Sequence, residues 1–101
     1  MDLDLINENA MEILLHAGDA RELIRKAVQF LKDDDENAFD LTMDEANGKL
    51  NKAYVIQTKV IQTTIETEKN EYSILFAHAM DTLMAIKSEY EITNNLTKLL
   101  K

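Results

Sequence analysis

Two side chains in the last third of the chain could do chemistry together: His78 and Asp81, three residues apart and bordered by Ile74 and Ala85. On a helix this spacing puts them on one face. A polar pair in apolar surroundings needs hydrogen-bonding partners, or a function that justifies its cost. One reading is a core histidine held by a hydrogen bond, with the carboxylate setting its tautomer. The other is a histidine whose free ring nitrogen is a nucleophile toward phosphorus. A residue that receives and then donates a phosphoryl group needs access, orientation and a nearly isoenergetic partner. It requires no glycine-rich nucleotide loop, and the sequence has none. No serine–histidine–aspartate or paired-carboxylate arrangement points to hydrolysis.

Asp81 has a second conditional role. Three copies of its helix packed around a threefold axis would bring three carboxylates together, which would raise one another's pKa or trap a cation. Hard oxygen donors around a small site suit Mg²⁺ or another hard divalent ion. The second histidine, His16, lies four residues after Glu12. A di-iron bundle wants Glu-x-x-His on two helices, so His16 reads as a flank or partly buried residue. Met80 and Met84 read as packing residues. Gly48 interrupts a helical pattern at a cost of about 1 kcal/mol relative to alanine; close backbone approach is one explanation, which the sequence does not show.

Three apolar-periodic stretches must position these groups. The first runs from about Leu3 to Lys32, with Ile6, Ala10, Ile13, Ala17, Ala20, Ile24, Ala27 and Leu31 on one face. Asp33, Asp34 and Asp35 break it and supply a capping carboxylate for the next helix. The second runs from about Glu36 to Thr67 on Phe39, Met43, Ala46, Leu50, Ala53, Gln57, Val60 and Thr64. Gln57 is the odd member, an amide where an apolar residue would pack. After a polar break from Glu66 to Asn70, the third stretch runs from about Glu71 to Leu100, on Tyr72, Phe76, Ala79, Leu83, Ile86 and Tyr90. Each helix would be about 45 Å long. Short connections predict an all-α, antiparallel up-down-up bundle, one domain over residues 1–101.

In the third stretch His78, Asp81, Thr82, Ser88 and Glu89 share a sector of about 120°. The rest, between Leu75 and Ile86, is apolar: Leu75, Phe76, Ala77, Ala79, Met80, Leu83, Met84 and Ile86. That arc is wider than the inner face of a three-helix monomer covers, which predicts a homo-oligomer with the third helix at its centre.

Composition narrows the function. A net charge of −8 offers no basic patch to displace counterions, so nucleic acid and anionic membrane surfaces are not expected partners. No run approaches the ~20 apolar residues of a membrane span, and no signal peptide is visible. Without cysteine there is no disulfide, thiolate metal site or cysteine nucleophile. The expected location is the cytoplasm.

The segment His78-Ala79-Met80-Asp81-Thr82-Leu83-Met84 resembles the phosphorylation-site segment of the lactose/cellobiose (chitobiose) family of phosphotransferase-system IIA proteins, typically His-Ala-Gln-Asp-His-Leu-Met. Ala17-Gly18-Asp19-Ala20-Arg21 resembles the family's first-helix signature, and Ala53-Tyr54-Val55-Ile56-Gln57-Thr58 its Ala-His-x-x-Gln-Thr segment. The resemblance covers essentially the whole chain. It departs at Met80, Thr82 and Tyr54, where glutamine, histidine and histidine are usual.

The resemblance implies a three-helix subunit in a homotrimeric nine-helix bundle. His78 would accept a phosphoryl group from the carrier protein HPr and pass it to a cysteine of a separate IIB component, for uptake of a cellobiose-like or lactose-like sugar. Asp81 would hold a structural divalent cation such as Mg²⁺ on the trimer axis, and Gln57 would neighbour the active site. Two other classes compete. A histidine phosphotransfer domain usually has a Lys-Gly pair after its histidine and four core helices, where this chain has Asp81-Thr82 and three. A helical adaptor would explain the periodicity and acidity but leaves the His78–Asp81 pair incidental.

Overall fold

The computed structural model describes residues 1–67 and 72–100. They form three helices, α1 (Leu3–Lys32), α2 (Glu36–Thr67) and α3 (Ile74–Leu100), in a rod 52 × 20 × 18 Å. No strand occurs among the described residues.

Local chemistry sets the helix ends. Asp2 caps α1, its carboxylate accepting from the Leu5 N–H at 2.8 Å. α1 stops in a left-handed turn: Asp34 has φ 60°, the Asp35 N–H donates to the Phe30 carbonyl and the Asp34 N–H to the Leu31 carbonyl. This is the Schellman closure, with aspartate in the place glycine usually takes. Asp35 then accepts from the Ala38 N–H at 3.1 Å, the capping carboxylate expected of the acidic run.

α3 begins at Ile74, later than Glu71, because Ser73 caps it. The Ser73 hydroxyl accepts from the Phe76 N–H at 2.9 Å and donates to Asn7 of α1 at 2.6 Å. Tyr72 therefore falls before the helix and is exposed instead of continuing the core stripe. Of the polar break between α2 and α3, residues 68–71 lie outside the described residues.

α1 is the central partner of both other helices. Its buried stripe is Ile6, Ala10, Ile13, Ala17, Ala20, Ile24 and Ala27, and the four alanines let neighbouring helices approach closely. Phe39, Met43, Ala46, Leu50 and Ala53 of α2 and Ala79, Leu83 and Ile86 of α3 complete the core. Burying a side chain the size of Leu83 stabilises the fold by about 2 kcal/mol. Asn7 meets Ser73, and further along both helices Arg21 meets Glu89, so α1 and α3 run parallel. Lys49 of α2 reaches back to Asp19 of α1 at 3.7 Å, so α2 runs against both and the bundle is up-down-up.

Arg21 and Glu89 form a two-pronged ion pair at 3.0 and 2.6 Å, which holds α1 against α3. That hydrogen bond raises the Arg21 pKa beyond its ordinary value. The seam between α2 and α3 is held differently. Lys87 of α3 lies 5.8 Å from the ring centres of both Tyr54 and Tyr90, and the Tyr54 hydroxyl is 3.8 Å from the Met84 sulfur. Partial burial pushes both tyrosine pKa values up, reinforced by Glu91 near Tyr54 and Asp44 near Tyr90.

Close backbone approach does not explain Gly48. A Cβ built there meets nothing within 4 Å, and the residue faces solvent. It costs helix propensity without repaying it in packing.

Candidate functional site

α3 places His78 and Asp81 on its outer face, away from the core residues Ala79, Leu83 and Ile86. Both are exposed, and the two side chains form no hydrogen bond with each other or with another described residue. A core histidine held by a hydrogen bond is thus not what this chain contains. An exposed imidazole has a lone pair available to an electrophile, which a satisfied core histidine lacks.

Around His78, one helical turn away in either direction, lie Ile74, Leu75, Asp81 and Thr82. Between Ile74 and Ile86 the helix carries no lysine or arginine. Thr82 is half-buried. Its hydroxyl makes no hydrogen bond, whereas Thr64 and Thr97 donate to the carbonyls one turn back at 2.7 and 2.8 Å.

Gln57 makes no hydrogen bond to this group in the single chain. It is half-buried on α2 with Oε1 enclosed and unpartnered. His16 is half-buried beside Gly48 and Lys52 in a shallow concavity, with Nδ1 enclosed and unpartnered. Met84 packs against Tyr54, and Met80 lines an apolar cleft with Ile6, Val60 and Phe76. Tyr54, one of the departures from the family motif, lies on the α2–α3 seam with Lys87.

The uncovered apolar surface is not where the wide arc of α3 led us to expect it. α1 and α2 bury Ala79, Leu83 and Ile86 and half-bury Leu75, Phe76, Ala77 and Met80, leaving Met84 exposed. On α3 this surface lies on the His78 side. Ile74, His78, Asp81, Ala85, Ser88, Ile92, Asn95 and Leu99 step alternately by four and three residues, and every one is exposed. Ile74 is 75% exposed and Ile92 58%. Four of the eight, Ile74, Ala85, Ile92 and Leu99, are apolar, so this face offers 4-3 spaced contacts to another helix. Neither Arg21 nor Ser73 was expected to join helices; an Asn7 amide that accepts from a capping serine leaves no periodic signal in a sequence.

Metal ligands are limited in the same way. Among the described residues of one chain no three His, Asp or Glu side chains converge. Asp81 offers a hard oxygen donor suited to Mg²⁺, but only one per chain, so a cation there requires further copies.

Comparison with known proteins decides the family. The profile of the phosphotransferase-system lactose/cellobiose-specific IIA subunit matches residues 8–101. The chain belongs to this family. It is 31% identical to the N,N′-diacetylchitobiose-specific EIIA component of Escherichia coli K12, over 93% of this chain and 81% of that protein. The crystal structure of PtcA from S. mutans superposes with a TM-score of 0.91 at 26% identity, covering 98% of this chain and 97% of that one. The IIA(chitobiose) chain in the solution structures of its complex with HPr, from Escherichia coli, gives 0.82 at 30% identity, covering 93% and 91%. A sugar-specific IIA component is a phosphotransfer protein, and the three-helix architecture of this chain is the family's. No described helix of this IIA protein is long and apolar enough to cross a membrane.

Proposed function

We propose that this IIA protein carries a phosphoryl group on His78, taken from phospho-HPr and passed to a cysteine of the cognate IIB component. The observation that carries the reading is an exposed, unbonded imidazole at the first position of the family's phosphorylation-site motif. The IIA(chitobiose)–HPr complex supports HPr as donor. In the transfer, the donor's nitrogen–phosphorus bond breaks as the bond from phosphorus to a His78 ring nitrogen forms. The electron pair returns to the donor nitrogen, and the second nitrogen of each ring keeps its proton. Because one phosphoramidate replaces another, orientation and electrostatics govern the step more than driving force. The relay is cytoplasmic and serves uptake of a β-linked disaccharide, cellobiose-like or lactose-like; the chitobiose-specific relative supports that class.

The working unit in this reading is a homotrimer, with Asp81, Ala85 and Ile92 of α3 turned toward its axis and His78 at the edge of that contact, open to HPr. Three Asp81 carboxylates then meet at one level and bind a structural divalent cation, Mg²⁺ or a similar hard ion. Gln57 enters as a tentative active-site neighbour supplied across the assembly, where its unpartnered Oε1 gains a donor.

Intact mass after incubation with phosphoenolpyruvate, enzyme I and HPr tests the carrier role. The expected result is one acid-labile phosphoryl group per chain, absent from His78→Ala. A His78→Ala protein that still gains the phosphoryl group would overturn the assignment.

A further inference from the structure

We propose that Thr82 holds the phosphoryl group on His78 through a hydrogen bond from its hydroxyl, an inference that rests on the carrier reading above. A phosphohistidine brings about two negative charges to the face of α3, and these oxygens are strong acceptors. The donors available on the helix are few. Of the four residues one turn from His78, Ile74 and Leu75 have no donor and Asp81 is an acid that repels the group. Thr82 alone carries an O–H.

Direction favours it as well. Side chains on a helix lean toward the N-terminus, so Thr82 inclines over the turn that bears His78. Its hydroxyl is uncommitted. The hydroxyls of Thr64 and Thr97 are spent on backbone carbonyls one turn back, and that of Ser73 on Asn7. Thr82 makes no such bond, although the carbonyl of His78 lies at the same offset. Among the described residues, neither α1 nor α2 sends a hydrogen bond or ion pair to His78. Where the family motif usually has histidine, this chain supplies a shorter donor at the same place on the face.

The test measures how the phosphoryl group partitions at equilibrium between HPr and this protein, with the hydrolysis half-life of the phosphoprotein as a second readout. Thr82→Val keeps the shape and removes the hydroxyl; Thr82→Ala does so with higher helix propensity, in case valine disturbs folding. Both variants should shift the partition toward HPr by about tenfold, the scale of a hydrogen bond to a charged group. Thr82→Ser should stay near the parent. A Thr82→Val or Thr82→Ala protein that partitions like the parent overturns the proposal and leaves the carrier role standing. A serine variant as impaired as valine overturns it too, because the methyl and not the hydroxyl would then matter. A parent protein that takes no phosphoryl group on His78 overturns both readings together.

Discussion

Toward α1 and α2, α3 presents Ala79, Leu83 and Ile86 with no solvent exposure; on its other side it presents Ile74, Ala85 and Ile92 to solvent. Both faces follow helical spacing. The inner face finds its partners within the chain and needs nothing more. The outer face has exposed apolar side chains and, among them, His78 and Asp81 of the motif. Exposed apolar residues are ordinary on a protein surface; what sets this row apart is that it also carries these two residues of the family motif. The inner face makes the subunit, and the outer face is the one left open for the assembly and phosphoryl transfer proposed above.

If this division holds, the two faces should fail differently. Ile92→Asp places a charge on each copy of the outer face, so we expect the assembly to dissociate while each subunit stays helical. Sedimentation velocity together with circular dichroism would read both, and an intact oligomer would remove α3 from its centre. Leu83→Ala should act on the subunit instead, lowering its unfolding free energy by about 3 kcal/mol for a fully buried leucine. Urea unfolding of the isolated domain measures this. A loss below about 1 kcal/mol would mean that the inner face is less closely packed than its burial indicates.

Asp81→Leu sharpens the outer face further. It removes clustered like charge and adds apolar contact, so the oligomer should persist or tighten by about 1–3 kcal/mol. The parent should weaken on removal of divalent cations by a chelator, and the variant should be indifferent to it. Dissociation of Asp81→Leu with or without Mg²⁺, seen by sedimentation, would sink the axial-carboxylate arrangement.

How far these faces could be read beforehand depended on whether the signal was periodic. The bounds of α1 and α2 were legible because acidic residues that break the apolar repeat are also the residues that cap: Asp35 does both. The start of α3 was misjudged because Tyr72 stands four residues before Phe76 and mimics the stripe, while the Ser73 cap depends on Asn7, far away in sequence. His78 and Asp81 could be placed on one face by spacing alone. Whether that face was covered could not, since periodicity says which residues share a side and not what packs there. The uncommitted hydroxyl of Thr82 was invisible for a related reason: it differs from Thr64 only in a hydrogen bond that it does not make.

The outward side of α2 tests this comparison, because it has an exposed 4-3 row of its own, with Leu41, Val55 and Ile65 in it. Gly48 sits there in helical conformation with open space where a side chain would go. Alanine needs no left-handed backbone at this position and meets no neighbour, so only backbone entropy and helix propensity change. Gly48→Ala should therefore raise the unfolding free energy by about 0.5–1 kcal/mol, with sedimentation and phosphoryl uptake unchanged. Thermal unfolding at fixed protein concentration resolves a shift of that size in a domain this small. Stabilisation without functional effect would keep assembly and transfer on α3. A loss of assembly would move the interface to α2, where the concavity beside His16 and Lys52 would become the surface that another copy covers.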